Sequence, residues 1–170
     1  IESPIQSLSL SNGLDSYHAV DCNISDINRK TIENADLICF PPGSFYSSIV
    51  ANLLPNGVAK AINKNPNPKV YIPNLGMDPE SRGLTINQNI QQLLKFLSQN
   101  KDLEFKENAG KKNNLTHILL DNHDRYYNGS VEASKWREMG IEVVRTDLTS
   151  KRYMPYYDPH KLVQAILSLM

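Results

Sequence analysis

Residues 41–48 read Pro-Pro-Gly-Ser-Phe-Tyr-Ser-Ser, and they gather more groups able to hold an anion than any other stretch of this chain. A helix start leaves its first backbone N–H groups without intrahelical partners, and the helix dipole makes that end mildly positive. Proline has no N–H, so Pro41 and Pro42 stiffen the entry and the donors begin at Gly43. They continue through Ser44, Phe45 and Tyr46, with the Ser44, Ser47 and Ser48 hydroxyls able to cap the helix or meet phosphate oxygens. Gly43 permits a sharp turn and a close approach to a ligand. A capped strand-to-helix turn without a ligand carries the same residues, so both readings stay open at this level.

Two further polar stretches follow apolar runs. Residues 74–83 (Asn-Leu-Gly-Met-Asp-Pro-Glu-Ser-Arg-Gly) place Asn74 and Asp78 as candidates to line a shared crevice, although Asn and Asp beside Gly and Pro are also ordinary turn formers. Residues 121–130 hold Asp121, His123 and Asp124, which could gather round a metal, yet no two histidines have zinc-site spacing. Asp121 is retained as a crevice-lining candidate. Tyr126, Tyr127, Tyr153, Tyr156 and Tyr157 could stack on a planar ring or fill a core. Arg125, Arg145 and Arg152 could meet phosphates or pair with surface carboxylates. A nucleophilic Ser44 lacks the Gly-x-Ser-x-Gly elbow. No residue is assigned a catalytic role, and no metal ligand is assigned.

The elements that must position these groups alternate. Residues 5–10 alternate apolar and polar, Asn12-Gly13 is a hairpin turn signal, and residues 16–20 can return as the partner strand. Ser25 and Asp26 open a helix that turns Ile27, Thr31 and Ile32 inward. Residues 37–40 read as a strand covered on both faces, and residues 45–54 as a helix whose apolar stripe is Phe45, Tyr46, Ile49, Val50, Leu53 and Leu54. A short helix near 58–62 and a strand at 69–73 follow. The cleanest helical face is Ile86, Ile90, Leu93, Leu94 and Leu97, with Thr85 as its cap. Residues 101–114 form a lysine-rich connection with a short strand near 103–105. Strands at 115–120 and 141–145 flank a helix over 131–139 closed by Gly140, and Leu162, Val163, Ile166 and Leu167 face the core from the last helix. This order implies α/β architecture: a mainly parallel sheet with flanking helices and an N-terminal β-hairpin.

Composition narrows the function. The 170 residues suit one domain, and the zero formal net charge without a basic run argues against nucleic-acid binding by charge. No apolar stretch reaches membrane-spanning length. Cys22 and Cys39 are the two cysteines, and Cys39 reads as a small apolar filler and not as a disulfide partner, which points to a reducing cytoplasm. The chain opens on Ile1, so its beginning is expected to lie upstream.

The stretch 35–48 resembles the signature of the CofD/YvcK family, whose usual form is an apolar strand, Gly-Pro-Gly-Ser-Leu-Tyr-Thr-Ser, and a helix ending in Asn-Leu-Leu. Gly57-Val-Ala-Lys-Ala-Ile62, Lys69-Val-Tyr-Ile-Pro-Asn-Leu75 and Tyr157-Asp-Pro-His-Lys-Leu-Val-Gln-Ala-Ile-Leu167 are similar to further segments in the same order. The resemblance implies a Rossmann-like fold that binds a nucleotide diphosphate, GDP in the 2-phospho-L-lactate transferase branch and a UDP-sugar in the gluconeogenesis-factor branch. By match, Gly43, Ser44, Tyr46, Ser48 and Asn74 carry over as ligand-crevice positions, and with Phe45 and Ser47 of the same turn they make up the expected nucleotide- and phosphate-binding set.

Departures qualify it. Pro41 stands where the family has Gly, Ser47 where it has Thr, and Gln88-Asn89 where it has Asp-His. Residues 76–81 replace a Thr-Gln-Pro-Gly-Glu-Thr type run, and Tyr156-Tyr157 replace the Arg-His of sugar-nucleotide binders. The variant is nearest an uncharacterised CofD-like subgroup. The family's opening glycine-rich segment and its acidic metal residues have no match, so residues 1–170 are expected to be the C-terminal part of a CofD-like nucleotide-binding domain, completed by that segment or by a companion chain. Two functions follow. One is part of a transferase moving a phospholactyl- or phosphoenolpyruvyl-type group from a guanosine-diphosphate carrier to an alcohol in coenzyme F420 biosynthesis, with Mg²⁺ held by the unmatched segment. The alternative is a non-catalytic nucleotide or nucleotide-sugar binding regulator. Independent catalysis by the isolated chain is not expected. A small-molecule nucleotide is the expected partner, and a second copy of the chain is a candidate one.

Overall fold

The computed structural model describes residues 3–13, 18–98 and 114–170. The lysine-rich connection and its strand near 103–105 fall almost wholly outside them. Four strands, β1 (Ile38–Phe40), β2 (Lys69–Tyr71), β3 (His117–Asp121) and β4 (Glu142–Thr146), form one sheet in the order β1-β2-β3-β4. All three pairings are parallel, so every strand points its C-terminal end the same way. Cys39 lies opposite Val70, Tyr71 opposite Ile118, and Asp121 opposite Thr146.

Parallel neighbours need crossovers, and the helices supply them. Helix α1 (Asp26–Glu33) leads into β1, and the Ser25 hydroxyl caps it by accepting the Asn28 N–H. Its inward side is Ile32, while Ile27 is 78% exposed and Thr31 is also exposed. One apolar side chain per turn was too thin a signal to fix the inward face.

After β1 the chain makes a wide π-type turn, Phe45–Ile49, and a 3₁₀ turn, Val50–Leu53, where an ordinary helix was expected. The apolar stripe is nonetheless the expected one, with Phe45, Tyr46, Ile49, Val50 and Leu53 buried. Helix α2 (Val58–Lys64) starts after Gly57, which has φ +96° and where a Cβ would meet Ile24 Cγ2 at 2.9 Å. Here glycine is required.

Helix α3 (Ile86–Leu97) joins β2 to β3. Thr85 and Gln88 close a reciprocal capping box, and the predicted face Ile86, Ile90, Leu93, Leu94 and Leu97 is buried. Helix α4 (Ala133–Glu138) precedes β4, with Gly140 at φ +76° ending it. Helix α5 (Pro159–Leu167) follows β4 under an Asp158 cap.

The two faces of the sheet carry separate cores. Phe40, Tyr71, Ile118 and Leu120 pack with the β1–β2 crossover, α3 and Trp136 of α4. Val70, Ile72 and Leu119 pack on the other face with Leu148, Tyr157 and α5. The alternation along β2 and β3 is what separates them. Helix α5 docks through Leu162, Ala165 and Ile166, whereas Val163 and Leu167 are 53% and 58% exposed, against the expectation.

The N-terminal reversal is present as one antiparallel bridge, Ser11 with Ala19, supported by the Val20 N–H to the Leu10 carbonyl (2.9 Å). Among the described residues no helix is long and apolar enough to cross a membrane.

Candidate functional site

The C-terminal ends of β1, β2 and β3 lie side by side because the strands are parallel and adjacent in space. Each strand feeds one of the polar turns singled out above. A pocket of about 220 Å³ opens between the first two turns and the start of α3. Its apolar floor includes Phe45, Ile49, Tyr71, Ile72 and Ile86, and Asn74, Asp78, Ser81, Asn89 and Asn128 add polar groups. Open α/β sheets place ligands at this end of the strands.

Asn74 ties the first turn to the second. Gly43 N–H donates to Asn74 Oδ1 (2.8 Å), and Asn74 Nδ2 donates back to the Gly43 carbonyl (2.7 Å). Both of these expected residues line the pocket, and they are consumed by each other.

The next donors also have partners. Phe45 N–H donates to Asp78 Oδ2 (2.7 Å). Tyr46 N–H and Ser47 N–H both donate to Glu80 Oε2 (2.8 Å each), and the Ser47 hydroxyl donates to Glu80 Oε1 (2.7 Å). The backbone at residues 45–47 therefore does hold negative charge, as its exposed N–H groups favour. That charge belongs to two carboxylates of the chain's own second turn. Asp78 also caps the single 3₁₀ turn Pro79–Ser81 by accepting the Glu80 N–H (3.0 Å), so Pro79 and this cap deliver Glu80 to its place. Desolvation pushes the Glu80 carboxyl up. The Ser47 hydroxyl and the Ser47 and Tyr46 amides pull it down and win, leaving it below the usual carboxylate range.

Ser44 makes no side-chain cap, and the Ser48 N–H returns to the Ser44 carbonyl (2.9 Å). A Cβ on Gly43 would sit 3.4 Å from Ser48 Cβ, and its φ is not in the left-handed region, so the turn does not depend on glycine there. Of the expected positions, Gly43, Phe45, Asn74 and Asp78 line the pocket, while Ser44, Tyr46, Ser47, Ser48 and Asp121 do not.

Asp121 is fully buried and anchors the third turn. Its Oδ2 accepts the Leu148 N–H (2.8 Å), and its Oδ1 accepts the His123 N–H (2.9 Å) and lies 2.7 Å from His123 Nδ1. Burial pushes this carboxyl up, but the His123 ring, the Leu148 and His123 amides and Thr149 outweigh it and hold it below its usual value. Asp124 pairs with Arg145 (2.6 Å), and Arg125 and Arg152 lie over the Tyr126 and Tyr153 rings. These three arginines therefore serve the third turn and the β4–α5 segment.

Tyr127 and Asn128 carry the third turn into the pocket wall. The Tyr127 hydroxyl accepts the Asp121 N–H (2.7 Å) and sits 3.3 Å from the Tyr157 hydroxyl, which donates to the Pro73 carbonyl (2.7 Å). Gly76 N–H donates to the Tyr126 carbonyl (2.7 Å), closing the second turn onto the third. Tyr157, at a position where sugar-nucleotide binders differ, is thus a strut between strand ends. Burial raises both tyrosine hydroxyls. It also lifts the Cys39 thiol to about 11, so Cys39 is an inert filler of β1.

Mg²⁺ takes several hard oxygen ligands at once. At this turn Asp78 and Glu80 are committed to backbone amides, and among the described residues no three carboxylate, histidine or cysteine side chains gather. The described residues do not fit the ion.

A model of the family described as 2-phospho-L-lactate transferase CofD matches residues 17–149. The chain belongs to the CofD family. A relative in Thermoanaerobacterium thermosulfurigenes is 32% identical over 148 residues, covering 82% of the CofD-family chain and 43% of its own length. The gluconeogenesis factor of Bacillus subtilis is 29% identical over 152 residues, covering 82% and 44%. A crystal structure of a UPF0052-family protein from Bacillus halodurans superposes with TM-score 0.65 at 22% identity, over 85% of this chain and 47% of that one, which establishes the fold. The CofD-family chain thus spans less than half the length of these relatives.

Sequence reasoning missed Glu80, Asn89 and Asn128, and offered Tyr127 only as one of five tyrosines able to stack on a ring or fill a core. Glu80 sits where the resemblance itself carries a Glu two residues after Pro, a signal that could have found it.

Proposed function

We propose that this chain is the ligand-binding portion of a CofD-like protein, holding a nucleotide at the strand-end pocket without turning it over, in the manner of a gluconeogenesis-factor type regulator. One observation carries this reading: the Phe45, Tyr46 and Ser47 amides are filled by Asp78 and Glu80. Phosphoryl transfer is catalysed almost wholly by positioning and by positive groups aimed at developing negative charge. A turn carrying two carboxylates opposes that, whereas a concave, mostly apolar pocket with a few polar groups suits binding.

The family description supports a second reading, in which the same pocket belongs to a transferase passing a phospholactyl-type group to an alcohol with Mg²⁺. Titration calorimetry with GDP, GTP and UDP-sugars, followed by product analysis with a guanosine-diphosphate carrier loaded with the phospholactyl group and a deazaflavin alcohol, run on the 170-residue chain and on the chain joined to the segment that its relatives carry upstream, separates the two. Saturable binding with no product is the expected result. Metal-dependent GMP release would establish the second reading, and absence of any nucleotide binding would remove both.

A further inference from the structure

The connection from β2 to α3 is pinned to the third turn at two places. At its start the Gly76 N–H donates to the Tyr126 carbonyl (2.7 Å). At its end Asn128 Nδ2 donates to the Leu84 carbonyl (2.8 Å), and the Ile86 N–H donates to the Asn128 carbonyl (2.8 Å). Just inside these anchors stand Gly76 at φ +81° and Gly83 at φ +82°, each with open space where a Cβ would be. No neighbour demands glycine at either place. The left-handed backbone does, and glycine passes between regions of φ with little penalty.

The residues between the two joints hold one another. The Ser81 N–H donates to the Asp78 carbonyl (3.0 Å), the Glu80 N–H to Asp78 Oδ1 (3.0 Å) and the Ser81 hydroxyl to Asp78 Oδ2 (3.3 Å). Pro79 fixes its own φ within the same 3₁₀ turn. Across to the first turn the links run from carboxylate to amide: Asp78 on Phe45, and Glu80 on Tyr46 and Ser47. Asp78 and Glu80 are half-buried and Ser47 is exposed, so water replaces these bonds as soon as they part.

The same segment walls the pocket, through Met77, Asp78, Pro79, Ser81 and Arg82. With the carboxylates seated the pocket holds about 220 Å³, below the roughly 300–1,000 Å³ of sites for drug-sized ligands. Lifting residues 77–82 widens it and leaves the sheet and both anchors in place. Resting on the nucleotide reading above, we propose that residues 77–82 are a lid on the strand-end pocket, pivoting as a unit on Gly76 and Gly83, with Glu80 as the latch that holds it shut. The shut and open forms differ at two glycines and at four hydrogen bonds to residues 45–47. Glu80 does not line the pocket, so it is a positioning residue that acts through the lid.

Amide hydrogen exchange of the 170-residue chain, followed residue by residue, reads the lid. The Phe45, Tyr46 and Ser47 amides should exchange through one shared opening, with Gly76 and Ile86 better protected. In Glu80→Gln all three should exchange about tenfold faster, since glutamine keeps an acceptor and loses the charge. Phe45 is decisive, because its partner Asp78 is left in place. The Ser81 amide, bonded inside the lid, should keep its rate. Acceleration confined to Tyr46 and Ser47 would reduce the latch to a local bond, and acceleration reaching Ser81, Gly76 and Ile86 would mean that the region melts. Either result overturns the lid. Calorimetry with GDP, GTP and UDP-sugars, on the two proteins compared above, reads the gate. A nucleotide that binds should bind Glu80→Gln about tenfold more tightly, because the open form is that much more populated. Unchanged or weaker affinity overturns the gate while leaving the nucleotide reading intact. If no nucleotide binds either protein, that reading falls and the exchange pattern alone decides the lid. Where Glu80→Gln does not fold, separate openings of the three amides in the unaltered chain overturn the proposal and a shared one supports it.

Discussion

The turns after β1 and β3 solve one problem in two ways. Each leaves backbone N–H groups at a strand end, and each meets them with carboxylate. After β3 the carboxylate is Asp121, the last residue of the strand, fully buried and serving the His123 amide two positions on as well as Leu148. After β1 the carboxylates are Asp78 and Glu80, which arrive from another turn across 33 and 34 positions of sequence and stay partly in contact with solvent. The first arrangement is a sealed joint, because a buried charge released from its donors has nowhere to go. The second borders a pocket and is held from outside.

The difference can be broken at its strong end first. Asp121→Ala should cost about 3 kcal/mol or more by urea unfolding, since it strands the Leu148 N–H in the interior and frees His123. A loss below about 1 kcal/mol would mean that the joint is not sealed.

At the β1 turn, Glu80→Gln should cost about 1–2 kcal/mol, because the amide keeps an acceptor for Tyr46 and Ser47 but loses the charge. The pH dependence sharpens this. Glu80 and Asp121 both have carboxyls below their ordinary values in the folded chain, so their contribution is complete above the ordinary carboxylate range, near about pH 4. It is lost as pH falls through that range toward the depressed values. Thermal melts from pH 6 to pH 3 should therefore decline less steeply in Glu80→Gln than in the unaltered chain. Parallel declines would mean that the Glu80 charge adds nothing.

Asn74→Ala removes both bonds to Gly43 and should lower stability by about 1 kcal/mol in the same urea assay. It should also raise hydrogen exchange at the Gly43 amide while leaving Leu148 protected. Equal loosening of the two sites would show that the turns are one cooperative unit. The smallest effect belongs to Gly43→Ala, within about 0.5 kcal/mol, because its new Cβ finds ordinary room beside Ser48. A larger loss would restore the strict need for glycine that the sequence suggests.

Much of this molecule was legible in its residues. The strands, the buried stripe of α3 and its Thr85 cap follow from periodicity and capping chemistry, which act over a few positions. The pull of residues 45–47 on negative charge was also legible, since unpaired N–H groups at a turn favour anions whatever supplies them. Sequence did not say which anion. Hydrogen bonds across more than thirty positions exist only once β1 and β2 pair and bring two turns within 3 Å. The burial of Asp121 and the inward face of α1 were decided in the same way, by neighbours that one-dimensional order does not display. Local chemistry set what the strand ends could bind, and the parallel sheet chose the chain's own Asp78 and Glu80 to bind there.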